Sequence, residues 1–200
     1  MEAVFESIRR ADAAIALWLN GWVGRFPALD AAVRVLVSDY FVPVLCVLAL
    51  VGLWFVGRTP AERERYQRVA VLGLLSLLFA NMVVYALNEL IFRPRPFADH
   101  AMNLLFYQPT DSSFPANPAA VGFAMATAVW HANRRLGVLT LLAAAVFGVA
   151  RMYAGVCYPT DVIAGGAIGV GMVFVGRGFL RLAEPIPTFT LKALRLFHLA

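Results

Sequence analysis

The chain has 200 residues, of which 61% are hydrophobic and 14% charged, whereas a soluble domain carries roughly 25% charged residues. This excludes a soluble globular enzyme and indicates an integral membrane protein. The net charge of +5 does not point to nucleic acid, because Lys192 is the single lysine among 17 basic residues and no basic run is interleaved with aromatics.

In chain order, residues 4–24 alternate apolar and charged positions at helical spacing, with Trp18 and Trp22 four apart. The pattern predicts an amphipathic helix in the membrane interface, within an N-terminal segment covering residues 1–36. A sixth, short span is the alternative. Acids and bases are mixed where the apolar core of a cleavable signal would run, so no such signal is expected. Crossing the hydrocarbon takes about 20 apolar residues. Five stretches qualify or nearly do: 37–56, 69–91, 118–133, 136–155 and 160–182. The expected fold is therefore an all-α membrane bundle of five transmembrane helices over residues 37–183. The charge-dense GRTPAERERYQR reads as a loop around 58–68, and NRRLG as a tight turn. The tail, 184–200, reads as a second amphipathic segment. Gly165, Gly166, Gly169 and Gly171 predict close helix packing, inside the protein or against a partner.

Cys46 falls mid-span and Cys157 at a span end, so no disulfide is expected. His100, His131 and His198 are scattered without metal spacing. No metal or other cofactor is expected. The loop at 58–68, the turn at Arg134 and Arg135 and the C-terminal stretch carry ten basic residues, against seven on the other side. By the positive-inside rule the first side, with the C-terminus, faces the cytoplasm. The segments 93–117 and 151–160 then share the outer face, expected to be the periplasmic side of a bacterial cytoplasmic membrane.

Three segments on that face carry a resemblance: NELIFRPRPF, SSFPANPAA and ARMYAGVCYPTDVIAGG. Together with LNGWVGRFPALD near the N-terminus, they resemble the type 2 phosphatidic acid phosphatases, relatives of the vanadium haloperoxidases. That family's pattern runs Lys-x6-Arg-Pro, then Pro-Ser-Gly-His, then Ser-Arg-x5-His-x3-Asp. The resemblance implies that the last His would attack phosphorus, oriented by the Asp, while the middle His protonates the leaving oxygen. The Lys, the two Arg, and the Ser and Gly groups would hold the phosphate oxygens, stabilising the charge on the transferring group.

Here Arg95, Pro96, Pro115, Arg151 and Asp161 match that pattern. The Lys position is Asn88. Ser, Gly and His have become Ala116, Asn117 and Pro118, and the Ser before Arg151 is Ala150. The nucleophile's position is Cys157. Cys157 as a thiolate nucleophile stands against a small, half-buried side chain, since the Cys-x5-Arg loop of cysteine phosphatases is missing and Asp161 would raise a nearby thiol pKa. His100 as an imidazole source stands against a solvated loop histidine. Asn117 before Pro118 suits a helix N-cap with proline at the first position, which also removes a donor that a phosphate would have met. Arg95, Arg151 and Asp161 either form an Arg–Asp–Arg cluster that fixes the loops or keep binding an anionic headgroup through the two arginines. Glu89 is expected to pair with Arg93.

The reading is thus a phosphatase fold without its reacting groups. The expected role is an accessory or assembly subunit of a membrane complex, with other membrane proteins and lipids as partners. Two alternatives stand beside it. One is a binder of lipid phosphate or polyprenyl phosphate that does not cleave it. The other is an active lipid phosphatase with a rebuilt site.

Overall fold

The computed structural model describes residues 2–186, 188 and 189. The expected amphipathic tail lies mostly outside the described residues. Among these there are eight helices and no strands: α1 (Glu2–Asn20), α2 (Pro27–Leu36), α3 (Phe41–Val56), α4 (Pro60–Leu90), α5 (Pro96–Asp99), α6 (Asn117–Ala132), α7 (Arg134–Tyr153) and α8 (Pro159–Leu182). By length and composition α4, α7 and α8 can each cross a membrane. The α2–α3 pair, bent by 52°, adds a fourth if it is one broken span.

The charge-dense stretch read as a loop is instead the first turns of α4, which runs for 31 residues. The local chemistry explains this. Thr59 accepts a hydrogen bond from the Glu62 backbone N–H at 3.2 Å, and Pro60 occupies the first turn, where its missing N–H costs nothing. At the NRRLG turn, Asn133 is itself the cap of α7, accepting from Leu136 N at 3.1 Å.

The expected spans 37–56 and 118–133 emerge as helices of only 16 residues. α6 is nonetheless the centre of the bundle, packed against α3, α4, α7 and α8. Its buried positions are mostly alanine, with Gly122, Met125 and Val129 among them. Small residues let backbones approach where lipid offers no hydrophobic drive for association. α8 presents the matching surface. A Cβ on Gly165 would lie 2.3 Å from the Ala116 carbonyl oxygen, and one on Gly169 would lie 2.3 Å from that of Ala120. Gly166 faces the Phe123 ring, whereas among the described residues nothing lies within 4 Å of a Cβ on Gly171, so no close packing there requires a glycine. We expect Gly169→Ala to destabilise by about 1–3 kcal/mol, because backbone has to move. Gly171→Ala should be neutral or slightly stabilising. Thermal unfolding of both variants in detergent checks the contrast.

α1 ends at Asn20, four residues short of the expected segment, and packs on α7 and α8. The stripe it buries is Asp12, Ala16 and Asn20, two of them polar. Phe5, Ile8, Ile15 and Trp18 point outward. Its protein-facing side is thus held by hydrogen bonds, and its apolar side is left for lipid.

Candidate functional site

At one end of the bundle meet the C-terminus of α4, the loop 91–116, the start of α6 and the α7–α8 connection. Arg93 is the hub. It reaches Asp161 Oδ1 and Asp12 Oδ2 at 2.6 Å each, and Thr160 Oγ1 at 2.8 Å. Its guanidinium lies 4.1 Å over the Tyr158 ring. Asp12 also accepts from Thr160, through the backbone N–H at 2.9 Å and through the hydroxyl. Burial disfavours the charged form of Arg93, but the hydrogen bond to Asp12 and the field of Asp161 outweigh it and hold the guanidinium above its ordinary range.

Asp161 is fully buried. Besides Arg93 it accepts from the Ser113 hydroxyl and, at 2.9 Å, from the Tyr158 backbone N–H that opens α8. Its carboxylate works as a cap and a clamp between two loops. The expected pairing of Glu89 with Arg93 does not form: Glu89 is exposed, and Arg93 turns the other way, into Asp12 and Asp161. The expected Arg–Asp–Arg cluster is replaced by three separate pairings, since Asp161 takes Arg93 while Arg95 and Arg151 each have a different acid.

A guanidinium presents five N–H donors, and all three nitrogens of Arg95 are engaged. Nε meets the Asp111 carbonyl at 3.1 Å. Nη1 meets the Val156 carbonyl at 2.7 Å and Cys157 Sγ at 3.7 Å. Nη2 meets Asp111 Oδ1 at 2.8 Å and the Ser112 carbonyl at 3.5 Å. Arg151, also buried, places Nη1 2.7 Å from Asp39 Oδ1 and 3.3 Å from the Val37 carbonyl, with the rings of Phe106 and Phe147 close by. Its Nε is buried without a partner. Cys157 is 1% exposed and neighbours both arginines. Cys46 and Cys157 are both free thiols.

Asn117 is not the cap of α6. The cap is Ala116, whose N–H donates to the Asp161 carbonyl at 3.0 Å, so α8 rather than an asparagine side chain fixes this helix start. Asn117 instead faces a cavity of about 560 Å³ between the end of α4 and the start of α6. Asn88, Glu89, Asp111 and Ser112 line it too. The side-chain oxygens of Asn88 and Asn117 are buried with no hydrogen-bond partner among the described residues. Neither Arg95, Arg151 nor Cys157 lines the cavity, and no basic residue does. His100 lies in another recess of about 350 Å³, beside Arg9, Arg10 and Tyr158, which Cys157 does not line either.

The sequence profile of the PAP2 superfamily matches residues 70–182, more than half of the chain and all three of these loop segments. The chain belongs to the PAP2 superfamily. Among curated relatives it is 25% identical over 167 residues to the undecaprenyl-diphosphatase BcrC of Bacillus subtilis, covering 84% of this chain and 82% of that one. The LpxE crystal structure from Aquifex aeolicus superposes with a TM-score of 0.65 at 25% identity, over 84% of this chain and 95% of that one. A Bacillus subtilis PAP2-type phosphatidylglycerolphosphate phosphatase has the same fold, with a TM-score of 0.64 at 22% identity, over 90% and 89% of the two chains.

Arg95, Arg151 and Asp161 thus lie at one end of the bundle, and Asn88, Asn117, Pro118 and Cys157 lie at the same end. Sequence reasoning missed the acids that neutralise the arginines: Asp12, Asp39 and Asp111. Asp12 and Asp39 pair 81 and 112 residues away, and Asp111 pairs 16 residues away across its own irregular loop, so none leaves a periodic signal. Arg93, two residues before Arg95, reads in the sequence as a partner of Glu89, not as the hub that Asp12 and Asp161 share.

Proposed function

We propose that this PAP2 protein does not transfer phosphoryl groups and serves as a non-catalytic subunit in a membrane assembly, with the altered site on the outer face of a bacterial cytoplasmic membrane. One observation carries the reading. Arg95, one of the two arginines expected to hold phosphate, has every nitrogen occupied inside the protein, and the cavity beside Asn88 is lined by the acids Glu89 and Asp111 with no basic residue. A transferring phosphoryl group needs preorganised donors where charge develops. Here an anion would meet the like charge of Glu89 and Asp111, and Pro118 has no N–H to offer it. The altered site acts as a set of ion pairs that locks α1, the loops and α8 together.

The test is phosphate release from undecaprenyl diphosphate and other lipid phosphates, with an active PAP2 phosphatase run in parallel. The expected result is background release, equal in wild type and Asp161→Asn. Release that Asp161→Asn abolishes would refute the inactive reading and turn attention to Cys157. The subunit role predicts a stoichiometric membrane-protein partner after purification in mild detergent, and a lone monomer would count against it.

A second reading, binding of a lipid phosphate without cleavage, is favoured by the unpartnered Nε of Arg151. For both arginines to engage a headgroup, Asp39 and Asp111 have to release them. Arg95→Gln with Arg151→Gln should then abolish retention of polyprenyl phosphate. Unchanged retention in that double variant rules it out.

A further inference from the structure

At the opposite end of the bundle, the first turns of α4, the last turn of α6 and the C-terminal turns of α8 enclose a recess of about 490 Å³. Its wall carries Arg65, Arg68, Arg177 and Arg181 against two acids, Glu64 and Glu184. Val69, Leu72 and Leu180 also line it. The acids are not shared evenly. Arg68 takes both, bonding Glu64 at 3.2 Å and forming its other ion pair with Glu184. Among the described residues Arg65 reaches the His131 carbonyl alone, at 3.4 Å. Arg177 and Arg181 have no hydrogen-bond or ion-pair partner among the described residues, and they stand four apart on one face of α8. Like charges at that spacing repel, so the pair lowers its energy by taking up an anion.

We propose that this recess binds the phosphate headgroup of an anionic membrane lipid, with Arg177 and Arg181 as its principal donors and Arg65 as a third. Guanidinium groups match phosphate oxygens in geometry as well as charge. The apolar side chains suit the glycerol and first acyl carbons, and basic pockets between transmembrane helices at the membrane surface have this character. A soluble phosphate monoester offers the same oxygens without the acyl chains. The site lies at the other membrane face from the altered PAP2 site and stands or falls independently of it.

Native mass spectrometry of the full chain in neutral detergent tests this, titrating phosphatidylglycerol and phosphatidylcholine of equal chain length. The expected result is one phosphatidylglycerol bound in preference to phosphatidylcholine. Arg177→Gln with Arg181→Gln should weaken that binding about thirtyfold, the loss of two guanidinium–phosphate contacts. Arg134→Gln with Arg135→Gln makes the same charge change at the same end of the bundle, outside the recess, and should leave binding unchanged. Arg177→Lys with Arg181→Lys should retain most of it, separating loss of charge from loss of fold. Equal affinity in the wild type and the Arg177/Arg181 glutamine variant, or equal losses in both glutamine pairs, would overturn the proposal. Displacement of the lipid by equimolar glycerol phosphate would overturn the lipid assignment in favour of a soluble anion.

Discussion

Replacing Arg93 with methionine is expected to destabilise the protein by about 3–5 kcal/mol, the usual cost of removing one member of a buried ion-pair group. Asp12 and Asp161 are 2% and 0% exposed and share this one guanidinium. Without it, two buried carboxylates face each other with no other cation paired to either among the described residues. Asp12→Asn should cost less, about 1–3 kcal/mol, since an amide oxygen still accepts from Thr160 and Arg93. Thermal unfolding in detergent gives the ranking. A local readout should accompany it. Asp12 is the buried polar contact of α1 in this network, so its loss should expose Arg9 and Arg10 to trypsin before global unfolding. An Arg93→Met variant as stable as wild type would show that the three charges do not hold the loops.

This anchor explains why the bundle was readable in the sequence while its site was not. Transmembrane helices announce themselves by apolar runs, and α4, α7 and α8 match the stretches read for them. The small residues of α6 and the glycines of α8 are also a local signal, and Gly165 and Gly169 pack as that signal implies. Asp12 is the opposite case. In an amphipathic helix an aspartate reads as the wet face, yet here it is the buried contact, because its partners Arg93 and Thr160 lie 81 and 148 residues away. Asn117 failed for a related reason. Asn-Pro is a sound N-cap pattern, but α8 had already fixed the start of α6 through Ala116 and the close approach of Gly165. The positions retained from the PAP2 pattern were legible. What they are now bonded to was not, because ion-pair partners depend on three-dimensional approach and leave no periodic trace.

On the inactive reading proposed above, those pairings set what it would take to make the site work. Restoring the two histidine positions alone, Pro118→His with Cys157→His, is expected to leave phosphate release at background. An imidazole nucleophile and a general acid contribute only once the phosphate is held, and in this chain Arg95 is spent on Asp111 and the Val156 carbonyl. The full set should behave differently: Asn88→Lys, Ala116→Ser, Asn117→Gly and Ala150→Ser added to the two histidines, with Asp111→Ala to free Arg95. The lysine, with Asp111 removed, would offset the remaining negative charge of Glu89 at the 560 Å³ cavity, and the glycine would let backbone N–H groups face the substrate. Release should rise at least about a hundredfold over the two-histidine variant, the lower end of what positioned acid–base catalysis contributes. Asp161→Asn in that background should abolish it. If the two histidines suffice by themselves, Arg95 remains free to bind phosphate despite its internal bonds, and the proposed inactivity rests on the missing imidazoles alone.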